Sequence, residues 1–244
     1  MLGGLVPDLL CSKALRQHVG TTDIDVQVDL EIQAGARNAA RLERALQRAQ
    51  FTPSGQYVWR WQDRSVPGAV VKIEILADLA NAPSEATVTF TGSQSLGAVN
   101  LRGTGFAARD WQPHRLTVGV NGEPTAVEVR VATLPAYLLA KTHAAYGRRL
   151  QKDFYDVAYV VLHIDAGGPG PAAARVRQVF AGDLVGQTGT ALTELAANFS
   201  DASAQGSLAY AITMQALHPD LDADVLANDA ITGISTFVGS VRGQ

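Results

Sequence analysis

A chain of 244 residues, 47% hydrophobic and 18% charged, is long enough to bury a substantial core as one large domain or two small ones. Its net charge of −3 gives no global attraction to nucleic acid, so any polyanion binding has to rest on a local basic patch. A single cysteine, Cys11, excludes an internal disulfide framework and fits a reducing compartment. No apolar run reaches the length of a membrane span, and the N-terminus lacks the basic-then-apolar pattern of a signal peptide, so the expectation is a cytoplasmic protein without membrane contact.

The opening Gly3-Gly4, followed by Leu5, Leu9, Leu10 and Leu15, predicts a glycine turn feeding a helix, with Pro7 in its first turn. Such a turn normally follows a strand, and only Met1 and Leu2 remain to form one. Residues 23–32 alternate as a strand, with Ile24, Val26, Val28 and Leu30 on one face and Asp23, Asp25, Gln27 and Asp29 on the other. Residues 36–50 predict a helix with Leu42, Ala45, Leu46 and Ala49 on one side and a basic outer face. Strands follow at Tyr57–Trp61 and Ala69–Leu76, with a turn over Asp63–Gly68 and one acid, Glu74, inside the second apolar run.

Residues 79–113 are rich in Gly, Ser, Thr and Asn and predict loop or irregular β structure. Strands at Arg115–Val120 and Ala126–Ala132 are joined through Asn121-Gly122, a dipeptide suited to a tight hairpin turn. Beyond this point the pattern turns helical. Thr133 reads as an N-cap with Pro135 in the first turn, the helix ending at Gly147. A second helix from Lys152 carries Phe154, Val157, Ala158, Val161 and Leu162 on a helical period. After the break at Gly167–Pro171 come Ala-rich helical segments at about 171–182, 188–198, 203–217 and 220–239. The expected fold class is therefore α+β, a mixed sheet with flanking helices over residues 1–132, followed by an all-helical domain over 133–244.

Alternate side chains of an extended strand share a face, so Asp23 and Asp25 point the same way. Two like charges so close repel, and a divalent cation holds both ionised; Mg²⁺ takes one or two carboxylates plus substrate phosphates. A lone Asp-x-Asp is a weak signal, because many solvated strand faces carry two acids. Each other candidate also has a plain structural reading. Glu74 could pair with Lys72 on its own face, and Asp78 is a possible substitute third acid past the strand end. Asp153 sits where an N-cap belongs, with Asp156 favouring the helix dipole, and Lys141 could be a snorkelling surface lysine. Asp29 reads as solvated, Gly103-Thr104-Gly105 is a lone GxG, and the histidines and Cys11 show no metal-ligand spacing.

Taken together, Gly3-Gly4, the Thr21-Thr22-Asp23-Ile24-Asp25 strand, Glu74 and the hairpin Lys141…Arg148…Lys152-Asp153-Phe154-Tyr155-Asp156 resemble the nucleotidyltransferase superfamily. The hairpin is more narrowly similar to the AbiEii/AbiGii-type toxin nucleotidyltransferases of toxin–antitoxin and abortive-infection systems. The resemblance covers roughly residues 2–162 and implies a nucleotidyltransferase-like fold, with residues 133–162 contributing to the site. It implies transfer of a nucleoside monophosphate from an NTP to an acceptor hydroxyl on RNA, such as tRNA, or on protein, and a cognate antitoxin as partner.

In that reading Asp23, Asp25 and Glu74 hold two Mg²⁺ ions, and Glu74 can take the acceptor's proton. Gly3, Gly4, Thr21, Thr22, Asp153 and Asp156 surround the nucleotide, and Lys141 meets the β/γ-phosphates. Three departures stand out. The third acid is Glu where Asp is commoner, His18 lies near the place where an Arg is expected, and almost no strand precedes Gly3. The alternatives are a small-molecule enzyme of the aminoglycoside-modifying type, sharing the Asp-x-Asp core, and a degenerate domain that binds nucleotide or a partner without catalysis.

Overall fold

The computed structural model describes residues 1–21, 23–28, 35–65, 70–120 and 123–243. Thr22, Asp29, Leu30, Gly68 and the Asn121-Gly122 turn lie outside them. In chain order the elements are α1 (Val6–Leu10), β1 (Asp23–Gln27), α2 (Gly35–Arg48), β2 (Thr52–Ser54), β3 (Tyr57–Asp63), β4 (Val71–Ala77), β5 (Thr87–Thr89) and β6 (Gly97–Asn100). Then come α3 (Phe106–Arg109), β7 (Trp111–Val120), β8 (Glu123–Ala132), α4 (Leu134–Arg148), α5 (Gln151–His163), α6 (Pro169–Phe180), α7 (Gly186–Ala197), α8 (Gln205–Leu217) and α9 (Ala223–Arg242). The architecture is mixed α and β, with a curled sheet and a helical C-terminal region. No described helix is long and apolar enough to cross a membrane.

Two compact units emerge: Met1–Leu5 with Thr21–Ala132, and Val6–Gly20 with Thr133–Gln244. The change to helix at Thr133 coincides with the boundary between them, but residues 6–20 belong with the helical part. The reason lies in α1. Its Val6, Pro7 and Leu10 are buried, and Leu10 O accepts from Asp165 N at the end of α5.

In the first unit β4 is the central strand. It pairs in parallel with β1, Asp25 opposite Glu74 and Asp23 opposite Lys72. Its other edge is shared by β3, antiparallel with Arg60 opposite Glu74, and β6, parallel with Leu76 opposite Val99. Period-2 alternation then sorts the side chains. Trp61, Ile73 and Ile75 face a core closed by Ala39, Leu42 and Leu46 of α2, while Asp23, Asp25, Arg60, Lys72 and Glu74 share the opposite face. The predicted apolar side of α2 is corrected here: Ala45 and Ala49 are exposed, and buried Glu43 lies on the inner side.

The 79–113 region is more regular than its composition predicts. Buried Asn100 accepts from Leu79 N at 2.7 Å and donates to Ala82 O at 3.0 Å and Pro83 O at 2.8 Å, pinning the preceding loop. Asp78 accepts from Gly103 N and Gly105 N, so the GxG turn binds a carboxylate of its own chain. Gly97 of β6 has to be glycine, because a Cβ would lie 2.5 Å from Val88 O. Strands β7 and β8 form a separate two-stranded hairpin in register from Trp111 opposite Ala132 to Val120 opposite Glu123.

In the second unit α5 is apolar nearly all round, with Phe154, Tyr155, Val157, Ala158, Tyr159, Val160 and Val161 buried, as a central helix requires. The predicted stop at Gly147 is corrected: α4 runs to Arg148 and closes on Arg149 in the left-handed region, φ 52°.

Candidate functional site

The acids of the sheet unit are brought together by register rather than by sequence proximity. Asp25 and Glu74 are Cα partners on adjacent parallel strands, so their side chains project from the same face, with Asp23 two residues earlier on β1. Leu2 makes an isolated antiparallel bridge to Asp25, its N–H donating to Asp25 O at 2.8 Å. Among the described residues, that bridge is the strand-like pairing that precedes the glycine turn. It sets Gly3, at φ 98°, against the Asp25 carboxylate so closely that a Cβ would lie 2.0 Å from Oδ2. Only glycine fits there. Gly4 is buried in the same turn, and the Thr21 hydroxyl accepts from Asp23 N at 3.1 Å, fixing the entry to β1.

The alternative Glu74–Lys72 pair is not formed. Glu74 Oε1 instead receives Arg60 across the β3 edge, with Nε and Nη2 each at 2.7 Å. The Arg60 guanidinium also lies 4.7 Å from the centre of the Trp59 ring. Lys72 turns to β1, its Nζ 3.3 Å from Asp23 Oδ1. That oxygen is shielded from solvent and receives no hydrogen bond, the lysine contact being Coulombic only. Strand register put Arg60 beside Glu74, and the sequence spacing of Arg60 and Glu74 gave no sign of it.

These residues fit Mg²⁺ in the kind of donor they offer. They are hard carboxylate oxygens, one of them buried and unbonded, and two cations already stand at the positions a metal would neutralise. Among the described residues, no group of three or more His, Cys, Asp or Glu is gathered closely enough to hold an ion as the side chains lie. Bringing Glu74 to Asp25 therefore requires its release from Arg60.

Lys141, Asp153 and Asp156 belong to the helical unit and form a cluster of their own. Lys141 Nζ is 2.6 Å from Asp156 Oδ2 and 3.3 Å from Asp153 Oδ1, and Arg148 Nη2 is 2.8 Å from Asp153 Oδ1. The snorkelling reading of Lys141 is corrected, since the residue is 7% exposed. The N-cap reading of Asp153 is corrected too. The cap position is Leu150, and Asp153 is the third residue of α5, 2% exposed.

His18, near the place of an expected Arg, is the residue that sequence reasoning missed. Its Nδ1 accepts from Gly20 N at 3.1 Å, which leaves Nε2 as the ring atom facing Asp156. Nε2 lies 2.9 Å from Asp156 Oδ1, which accepts its hydrogen bond, both side chains being fully enclosed. Tyr155 and Tyr159 flank the imidazole at 5.0 and 4.9 Å between ring centres. Burial works to raise the Asp156 carboxyl, but the Lys141 charge and the hydrogen bonds from His18 and Lys141 outweigh it and hold the group below the usual carboxylate range. No nearby sequence pattern links His18 to α5, so nothing in the sequence pointed to this role.

No protein-family model matches this sequence, and no curated protein or solved structure matches it either.

Proposed function

We propose that the chain is a Mg²⁺-dependent nucleotidyltransferase with a nucleotidyltransferase-like sheet, its reaction centre lying on β1 and β4. One observation carries the reading: Asp25 and Glu74 are register partners on neighbouring parallel strands, with Asp23 on the same face and Gly3 seated against the Asp25 carboxylate. When bound, Mg²⁺ supplies electrostatic stabilisation of the entering and leaving oxygens at the α-phosphorus. Asp23 and Asp25 are the residues that hold it. Glu74, once released from Arg60, accepts the proton of the acceptor hydroxyl. The Gly3-Gly4 turn leaves the backbone open to close approach by the triphosphate.

Lys141, the phosphate contact in the sequence reading, is assigned instead to neutralising Asp153 and Asp156 within the helical hairpin. The acceptor is an RNA or protein hydroxyl, and the resemblance of the hairpin favours a toxin with a cognate antitoxin. A second reading, a nucleotide- or partner-binding domain without catalysis, is favoured by the ion pairs that occupy Asp23 and Glu74.

The test supplies Mg²⁺ and each α-labelled NTP, with total tRNA, cell lysate or aminoglycosides as acceptors. Label should enter one acceptor class and fall by at least about a hundredfold in Asp25→Asn, the scale seen when a group that stabilises transition-state charge is removed. Absence of label from every acceptor, or equal labelling by Asp25→Asn, overturns the catalytic reading. Binding of NTP without transfer selects the second one. Growth inhibition on expression, relieved by Asp23→Ala, separates a toxin from a drug-modifying enzyme.

A further inference from the structure

On the side of the sheet unit opposite the acids, α2 carries a line of arginines. With 3.6 residues per turn, Arg41, Arg44 and Arg48 fall within an arc of about 60° and extend for about 10 Å along the helix. Arg41, Arg44 and Arg48 are exposed, and among the described residues none of the three has an ion-pair or hydrogen-bond partner. The one acid of the helix, Glu43, cannot offset them. It is 6% exposed and turned inward, where its carboxylate accepts from Ser95 N at 2.6 Å and Gln94 N at 3.0 Å.

Helix stability does not account for the line. Like charges three and four residues apart repel, and the macrodipole favours only Arg48, in the last turn. The chain as a whole carries a charge of −3, so the line is a local departure from its own background.

We infer that this face binds the phosphate backbone of a nucleic acid strand. Guanidinium groups donate in pairs to phosphate oxygens, and successive phosphates repeat on the scale of the arginine spacing. A membrane surface fits less well. An interfacial helix needs a free apolar face, and here Leu42 and Leu46 pack against the sheet while the exposed Ala45 and Ala49 are small. The inference requires neither catalysis nor metal, and it gives an acidic protein a specific place for a polyanion.

The test is anisotropy of a labelled single-stranded 20-nucleotide RNA, titrated in EDTA without NTP. Three phosphate contacts predict a slope of log affinity against log salt of about −2, so binding weakens roughly twentyfold between 50 and 200 mM salt. The combined Arg41→Gln, Arg44→Gln, Arg48→Gln variant should lose at least about tenfold in affinity at 50 mM salt and about two units of slope. Glutamine keeps helix propensity, and unchanged far-UV circular dichroism identifies a folded variant. The corresponding Arg→Lys variant should keep the slope, which checks the proposal should the glutamine variant not fold. Equal affinity and slope in wild type and the glutamine variant overturn the inference. So does arginine-dependent binding to phosphatidylserine vesicles without RNA binding. Because the assay contains no metal or NTP, its outcome is independent of the labelling experiment.

Discussion

The two units each set carboxylates against cations, but in different surroundings. On the sheet, Asp23 and Lys72 are each 35% exposed, and Arg60 is 32% exposed where it meets Glu74 at 17%. In the helical hairpin, Lys141, Asp153, Asp156 and His18 are all at or below 9%. Half-solvated pairs exchange partners at little cost, since water replaces whatever is lost. Enclosed pairs cannot, because either partner left alone keeps its charge in a poorly polarisable interior. The Asp23–Lys72 and Glu74–Arg60 pairs can therefore exchange partners, while the hairpin charges are committed to holding α4, α5 and the His18 segment together.

The largest effect should follow from breaking the enclosed cluster. Lys141→Met strands Asp156, and truncating one partner of a buried pair costs roughly 3–5 kcal/mol. For a chain of this size the thermal midpoint should drop on the order of 10 °C. Differential scanning calorimetry measures it. A drop of a degree or two would place Lys141 with the exchangeable surface pairs and erase the contrast between the units.

Acid should act more gradually, and also on the helical unit. Burial of the His163 ring, against the opposing pull of Asp229, holds its basicity below the ordinary value of 6.5. Its Nε2 lies 2.9 Å from the Tyr210 hydroxyl. The unfolded chain thus binds this proton more readily, so the stability is complete above about pH 6.5 and is lost as pH falls through the folded value. Asp156 behaves likewise one step lower. Its stabilisation is present above the ordinary 3.8 and drains as pH falls through its depressed folded value. Each proton contributes a slope of at most about 1.4 kcal/mol per pH unit. Urea midpoints from pH 7 to 3 should decline in two stages, the first absent in His163→Gln and the second reduced in Asp156→Asn. A first stage that persists in His163→Gln would assign it to another group.

The same contrast marks what could be read from sequence. Period-2 and helical patterns located β1, α2, β3, β4 and the C-terminal helices, because burial acts on each of those segments locally, and the largely exposed β7–β8 pair was legible from alternation alone. The 79–113 region reads as loop or irregular β structure, and composition could not show that Asn100 turns inward to bind the backbone of the preceding loop. The face shared by Asp23 and Asp25 was legible from alternation. The pairings Arg60–Glu74 and Lys72–Asp23 were not, since they depend on strand order and register. His18–Asp156, separated by 138 positions, left no local trace at all.

The smallest change in stability should come from the sheet, where it is the most informative about function. Lys72→Gln and Arg60→Gln each remove one partner of a half-solvated pair, and such pairs are worth about 0.2–1 kcal/mol. Their effect on cation binding should run the other way. Arg60 holds Glu74 on the β3 side, so its loss frees a carboxylate to turn toward Asp25, its register partner on β1. Lys72 competes directly at Asp23. Mn²⁺, a spectroscopic substitute for Mg²⁺, should bind both variants several-fold more tightly than wild type when titrated by electron paramagnetic resonance, and Asp25→Asn should abolish the gain. Tightening without a stability loss would identify Arg60 and Lys72 as resting counter-ions of a metal centre. Unchanged Mn²⁺ affinity in both variants would make the sheet face an ordinary surface ion-pair network, leaving the buried hairpin as the chain's principal charged feature and only a structural one.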